Sequence, residues 1–169
     1  MHALNIRLTP LTKIAIAILI VLSCPFIGLS ASKTAVGEDR MVLGQRQFET
    51  DKGGGAVLCA WSMYLSVRTQ ATACAISRQP VDDAIEEAIT AIDGFIIANS
   101  SLHPTRETLE DFKRRAGEAE LRHARQLGMQ KYCENNLAQH FRRQSPDKIR
   151  ASVKELLAVP REPVMNPCL

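Results

Sequence analysis

The clearest alternation of apolar and polar positions lies between residues 80 and 99. Apolar side chains recur there at three- and four-residue intervals, which is the spacing of one helix face. Pro80 suits the first position of a helix, and Asp82 and Asp83 follow where the helix dipole favours negative charge. The pattern predicts a helix whose buried face consists of Val81, Ala84, Ile85, Ala88, Ile89, Ile92, Phe95 and Ile96.

Three further segments carry helical patterns. Residues 56–77 are rich in apolar side chains and lack turn residues, which favours a helix over a strand. Thr105 or Thr108 can cap a helix that ends near Gly128, and Ser145 followed by Pro146 begins another that Pro160 ends. The helix after Thr105 is predicted to bury Leu109, Phe112, Ala116, Ala119, His123 and Leu127 and to expose Glu107, Glu110, Lys113, Arg114, Glu118 and Arg122.

These segments predict an all-α fold, a small up-down bundle of about four helices. We expect the bundle to occupy residues 56–159. Residues 32–55 contain many glycines and few apolar positions, and they are interpreted as a flexible arm. Residues 160–169 contain three prolines and are expected to form an extended tail that a disulfide tethers.

Residues 1–31 have the pattern of a cleaved secretory signal peptide. Arg7 and Lys13 precede the apolar run of residues 14–22, and small residues follow it near a cleavage site at Ser30 or Ala31. Two alternatives remain open, an uncleaved anchor and a lipoprotein whose modified N-terminus is Cys24. The expected location is therefore the periplasm or the exterior, with membrane contact only if Cys24 is lipidated or the leader is uncleaved.

Charge and composition exclude some classes of partner. The chain has a net charge of +3, and without the leader the acidic and basic residues nearly balance. Such a chain lacks the excess of positive charge that is typical of nucleic-acid-binding proteins. Aromatic residues make up only 5% of the chain, which suits helices better than a β-sandwich or barrel.

Four cysteines remain after the leader, and an even number in an exported chain predicts two disulfides. No spacing typical of redox, haem or zinc sites occurs among them. Cys59 and Cys74 on one helix would lie about 22 Å apart, too far to bond. The up-down order of the helices then favours the pairs Cys74–Cys133 and Cys59–Cys168.

The sequence contains no convincing catalytic, metal or cofactor motif. Glu120 and His123 form one Glu-x-x-His element, whereas a bundle di-iron site needs two of them. We therefore keep this pair only as a weak candidate polar site, expect no cofactor, and favour a non-enzymatic protein. Trp61, Met63, Tyr64 and Leu65 are expected in the core, and would indicate a binding surface only if they were exposed together.

The leading hypothesis is an exported, disulfide-stabilised module that binds another envelope or secreted protein. It would act as an inhibitor, an immunity-like protein or a chaperone-like protein. The alternative is a small periplasmic enzyme or ligand carrier whose site combines residues from separate helices.

Overall fold

The computed structural model describes residues 42–168, which are mostly helical and contain no β-strand. The helices are α1 (Val57–Ala73), α2 (Pro80–Asn99), α3 (Arg106–Leu127), α4 (Met129–Cys133), α5 (Asn136–Arg142) and α6 (Pro146–Leu156). None of these helices has both the length and the apolar composition needed to cross a membrane. The leader predicted for residues 1–31, with Cys24, lies outside the described residues.

The long helices begin at the residues that the sequence predicts. The Asp82 carboxylate accepts a hydrogen bond from the Gln79 amide (2.7 Å) at the start of α2. The hydroxyl of Thr105 accepts from Thr108 N (3.1 Å), and that of Ser145 accepts from Lys148 N (3.2 Å). These side chains satisfy amide groups that the first helical turn leaves without a partner.

Helix α2 lies at the centre of the core, packed against α1, α3 and α6. All eight apolar residues predicted for its inner face are buried. Ile89 is typical, with only 2% of its surface exposed. The prediction for this helix is confirmed, because a regular apolar stripe determines which face is removed from water.

The segment between Gly128 and Ser145 forms two short helices, α4 and α5, that the sequence pattern did not predict. Both pack against α1. The buried Gln70 side chain donates hydrogen bonds to the carbonyl of Tyr132 (2.6 Å) and that of Asn135 (3.3 Å). Helices this short carry little apolar periodicity and depend on tertiary contacts, so the pattern could not reveal them.

The described part of the predicted flexible arm, residues 42–55, differs from the expectation. Leu43 is buried, and its carbonyl accepts a hydrogen bond from the Ser100 hydroxyl. Farther along the segment, the carbonyl of Gln47 accepts from Met165 N (2.7 Å). The arm is therefore packed, and its partners, the Ser100 hydroxyl after α2 and the backbone of the tail, cannot be inferred from composition.

The tail is held by more than its disulfide. Pro163 and Val164 are buried, and the Val164 carbonyl accepts a hydrogen bond from Leu58 N at the start of α1 (3.0 Å). Asp51 N donates to the Asn166 carbonyl (2.8 Å). The tail therefore lies between the arm and the helices as part of the fold.

An ion pair between Asp51 and Arg161 joins the arm to the tail. Arg161 Nε lies 2.6 Å from Asp51 Oδ2, and another guanidinium nitrogen donates to the Gly55 carbonyl (2.8 Å). Burial alone would raise the pKa of Asp51, but hydrogen bonds from the amides of Gly54 and Gly53 and from Arg161 outweigh it and lower the pKa to about 2. The ionised carboxylate is therefore the form that the fold stabilises.

The stability contributed by Asp51 should depend on pH in one direction. Its pKa is about 3.8 without these contacts and about 2 in the fold, so the contribution is complete above about pH 5 and is lost as the pH falls through 2. We expect Asp51→Asn to lower the free energy of unfolding by about 2 kcal/mol at pH 5, and this deficit to shrink strongly by pH 2. Urea denaturation at pH values between 5 and 2 measures this loss in the free energy of unfolding. Asp147→Asn, whose side chain is 95% exposed, is the control and should change stability by less than about 0.5 kcal/mol.

Candidate functional site

The structure places the predicted pair Glu120 and His123 in different surroundings. Glu120 is half-buried and accepts hydrogen bonds from the hydroxyls of Tyr132 (2.7 Å) and Ser66 (3.1 Å). His123 is exposed one helical turn later. Burial and the hydrogen bond to Glu120 raise the pKa of Tyr132, so its hydroxyl remains a donor. Glu120 and His123 therefore have different surroundings, and the described residues contain no group of three potential metal ligands.

The structure instead reveals a buried charge pair between α2 and α3. Lys113 Nζ lies 2.5 Å from Asp93 Oδ2, and both side chains are more than 90% buried. Trp61 Nε1 donates to the other carboxylate oxygen of Asp93 (2.8 Å), and Lys113 also donates to the more exposed Glu110 (2.8 Å). Each buried charge thus has a partner, which is the condition for its burial.

The position of Lys113 corrects the sequence-based assignment of the faces of α3. The sequence pattern puts Lys113 on the polar face, but it is buried, and it puts His123 and Leu127 on the apolar face, but they are exposed. The signal that could have revealed the pair is Asp93, which interrupts the apolar stripe of α2. A carboxylate at a core position requires a buried partner on a neighbouring helix.

Removing one partner of this pair should be costly. We expect Lys113→Met to lower the free energy of unfolding by about 3–5 kcal/mol, because the Asp93 carboxylate would stay buried without its cation. The double variant Lys113→Met with Asp93→Asn should recover much of that loss, since asparagine still accepts from Trp61. Urea denaturation of Lys113→Met, Asp93→Asn and the double variant measures the coupling energy between the two side chains. An effect as small as that of Lys148→Met, at an exposed position of α6, would contradict the burial of the pair.

A cleft of about 400 Å³ opens between α1, α5, α6 and the tail, and we call it the aromatic cleft. Its lining residues are Gly55, Ala56, Cys59, Ala60, Met63, Tyr64, His140, Phe141, Gln144, Ser152, Leu156 and Pro167. The rings of Tyr64 and Phe141 meet edge to face, with centroids 5.6 Å apart. Burial raises the pKa of Tyr64, so the phenol is neutral at physiological pH.

A disulfide forms part of the cleft wall. Cys59 is paired with Cys168 and Cys74 with Cys133, with Cα–Cα distances of 5.3 Å and 5.7 Å. These are the pairs that the helical layout favours. Because Cys59 and Pro167 both line the cleft, the first disulfide holds the end of the chain against it.

The lining of the cleft suits an apolar group of a ligand or partner, because the cleft itself offers only a few polar side chains. Aromatic and aliphatic side chains cover most of the wall, and His140, Gln144 and Ser152 add hydrogen-bonding groups to the lining. Met63 and Tyr64 face this cleft, whereas Trp61 and Leu65 line a different cavity, between α1 and α3. Sequence reasoning missed the cleft because α5, which supplies Phe141, was not predicted. Comparison with protein-family models, curated proteins and solved structures finds no match to this chain.

Proposed function

We propose that this protein is exported and acts by binding another envelope or secreted protein, as an inhibitor, immunity-like or chaperone-like protein. The main structural support for this proposal is the aromatic cleft. Buried aromatic or aliphatic anchors that fill a pocket supply most of the energy in many protein interfaces. We infer that the partner inserts such a side chain against Tyr64 and Phe141.

Export is supported by the leader pattern of residues 1–31 and by the two cysteine pairs. Disulfides persist in oxidising compartments, which include the periplasm and the cell exterior. Intact-mass analysis of the protein from an exporting host tests this part of the proposal. A product cut near Ser30 or Ala31 supports a cleaved leader, a chain that retains residues 1–30 contradicts cleavage, and a diacylglyceryl group on Cys24 identifies a lipoprotein.

Ser152 offers a way to block the cleft without disturbing the core. It is exposed on α6 and lines the cleft, so Ser152→Trp places a bulky side chain in the opening. Ala151 is its exposed neighbour on the same helix and is not part of the lining, which makes Ala151→Trp a matched control. Equal melting temperatures for the two variants would show that both retain the fold.

The binding test uses the unmodified protein and the two variants in parallel. Each is immobilised and exposed to an envelope extract, and any retained protein is purified and titrated against all three by calorimetry. We expect saturable binding to the unmodified protein and Ala151→Trp, and at least tenfold weaker binding to Ser152→Trp. Retention of no protein, or equal affinity for all three, would overturn the proposal.

The volume of the cleft supports a second candidate, a ligand carrier, because small-molecule sites occupy about 300–1,000 Å³. Mass spectrometry of small molecules that copurify with the protein distinguishes this candidate. A compound retained by Ala151→Trp and lost from Ser152→Trp, with no retained protein, would favour the carrier.

A further inference from the structure

We propose that the cavity between α1 and α3 is a second binding site, and that its ligand is a small organic cation, an ammonium group on a short apolar body. The site is separate from the aromatic cleft and does not depend on the function proposed for it. We call it the tryptophan cavity, and the residues that define its chemistry are Trp61, Ser66, Phe112, Lys113, Gly117 and Glu120.

The cavity exists because small side chains meet at the centre of the contact between α1 and α3. Ala116 and Gly117 occupy the middle of the inner face of α3, and Ser62 and Ser66 lie on the facing side of α1. Even an added Cβ at Gly117 would lie 3.7 Å from its nearest neighbour, the Thr69 hydroxyl. The space measures about 150 Å³, and a cavity of about this volume can hold a molecule the size of benzene.

The charges around the cavity favour a cation. Lys113 lies at one end, where its ammonium is neutralised by the buried carboxylate of Asp93. Glu120 lies two helical turns away, about 10 Å along the helix axis. The hydrogen-bond donors to Glu120 are the neutral hydroxyls of Tyr132 and Ser66, and no basic side chain among the described residues forms an ion pair with it. A half-buried carboxylate without a cation is the group that an ammonium ligand would complete.

Aromatic rings supply the second part of the recognition. Trp61 and Phe112 line the cavity and stack on each other, with centroids 5.5 Å apart and planes 17° apart. Their apolar area removes the alkyl body of the ligand from water, while its ammonium group lies at Glu120. Glu120 and the ring pair therefore suit the two ends of an alkylammonium ion.

Trp61 also provides the signal for the test, because it is the only tryptophan in the chain. The full-length protein is titrated with n-butylammonium chloride at constant ionic strength, and the emission of Trp61 is recorded. Butan-1-ol and butanoate serve as neutral and anionic probes of similar size. We expect a saturable change with n-butylammonium and at least tenfold weaker binding of the other two.

Three variants assign the binding to this site. Glu120→Gln keeps an acceptor for Tyr132 but removes the charge, and should weaken n-butylammonium binding at least tenfold, whereas Glu118→Gln, at an exposed position of α3, should change it less than twofold. Gly117→Leu should fill the cavity and abolish binding, with circular dichroism as the check that it folds. Equal affinity for n-butylammonium and butan-1-ol, equal effects of the two Glu→Gln variants, or no saturable signal would overturn the proposal.

Discussion

Ile89→Asp is expected to unfold the domain. Ile89 is buried in the inner face of α2, the helix that contacts α1, α3 and α6. A carboxylate at that position would lose its hydration without gaining a partner, at a cost of several kcal/mol. The whole domain is stabilised by only about 5–15 kcal/mol, so the variant should lose most of its helical circular dichroism and its cooperative urea transition.

Two variants on the same helix serve as controls for Ile89→Asp. Thr90→Asp introduces the same charge at the neighbouring exposed position. Glu86→Ala removes a half-exposed carboxylate whose ion pair with Arg68 is 3.4 Å long. Both should change the free energy of unfolding by less than about 1 kcal/mol. Similar melting of all three variants would contradict the assignment of the two faces of α2.

Reduction of both disulfides is expected to have the next largest effect. Loss of a native disulfide in a small secreted domain typically costs about 2–5 kcal/mol, because the unfolded chain gains freedom. The two bridges span 109 and 59 residues, so both close long loops. We expect the urea midpoint to fall strongly in the presence of a thiol reductant. Non-reducing peptide mapping should recover Cys59 linked to Cys168 and Cys74 linked to Cys133, whereas a Cys59–Cys74 peptide would contradict helix α1.

Separate removal of each bridge tests what holds the tail. If the disulfide alone held it, the variant with Cys59→Ser and Cys168→Ser would be cut by proteases from Pro160 onwards. Because Pro163 and Val164 are buried and Arg161 pairs with Asp51, we expect early cleavage only after Asn166. The variant with Cys74→Ser and Cys133→Ser keeps this bridge and should show no early cleavage in the tail.

The candidate sites could be predicted only in part from the sequence. The spacing of Glu120 from His123 marks it as a candidate, but its hydrogen-bond partners are Tyr132 on α4 and Ser66 on α1. Tyr64 and Phe141 are 77 positions apart and meet only because α5 packs against α1. The sequence pattern of one helix does not indicate which residues of another helix will pack against it.

The sequence pattern alone predicts the helical class, the helix starts at Pro80, Thr105 and Ser145, and the buried face of α2. These features depend on residues within a few positions of each other, where helix periodicity and capping operate. The burial of Lys113, the packing of residues 42–55 and the two cavities instead depend on how distant segments pack together. Those features arise from contacts between distant segments, because a buried charge or a backbone hydrogen bond needs a partner that local sequence does not specify.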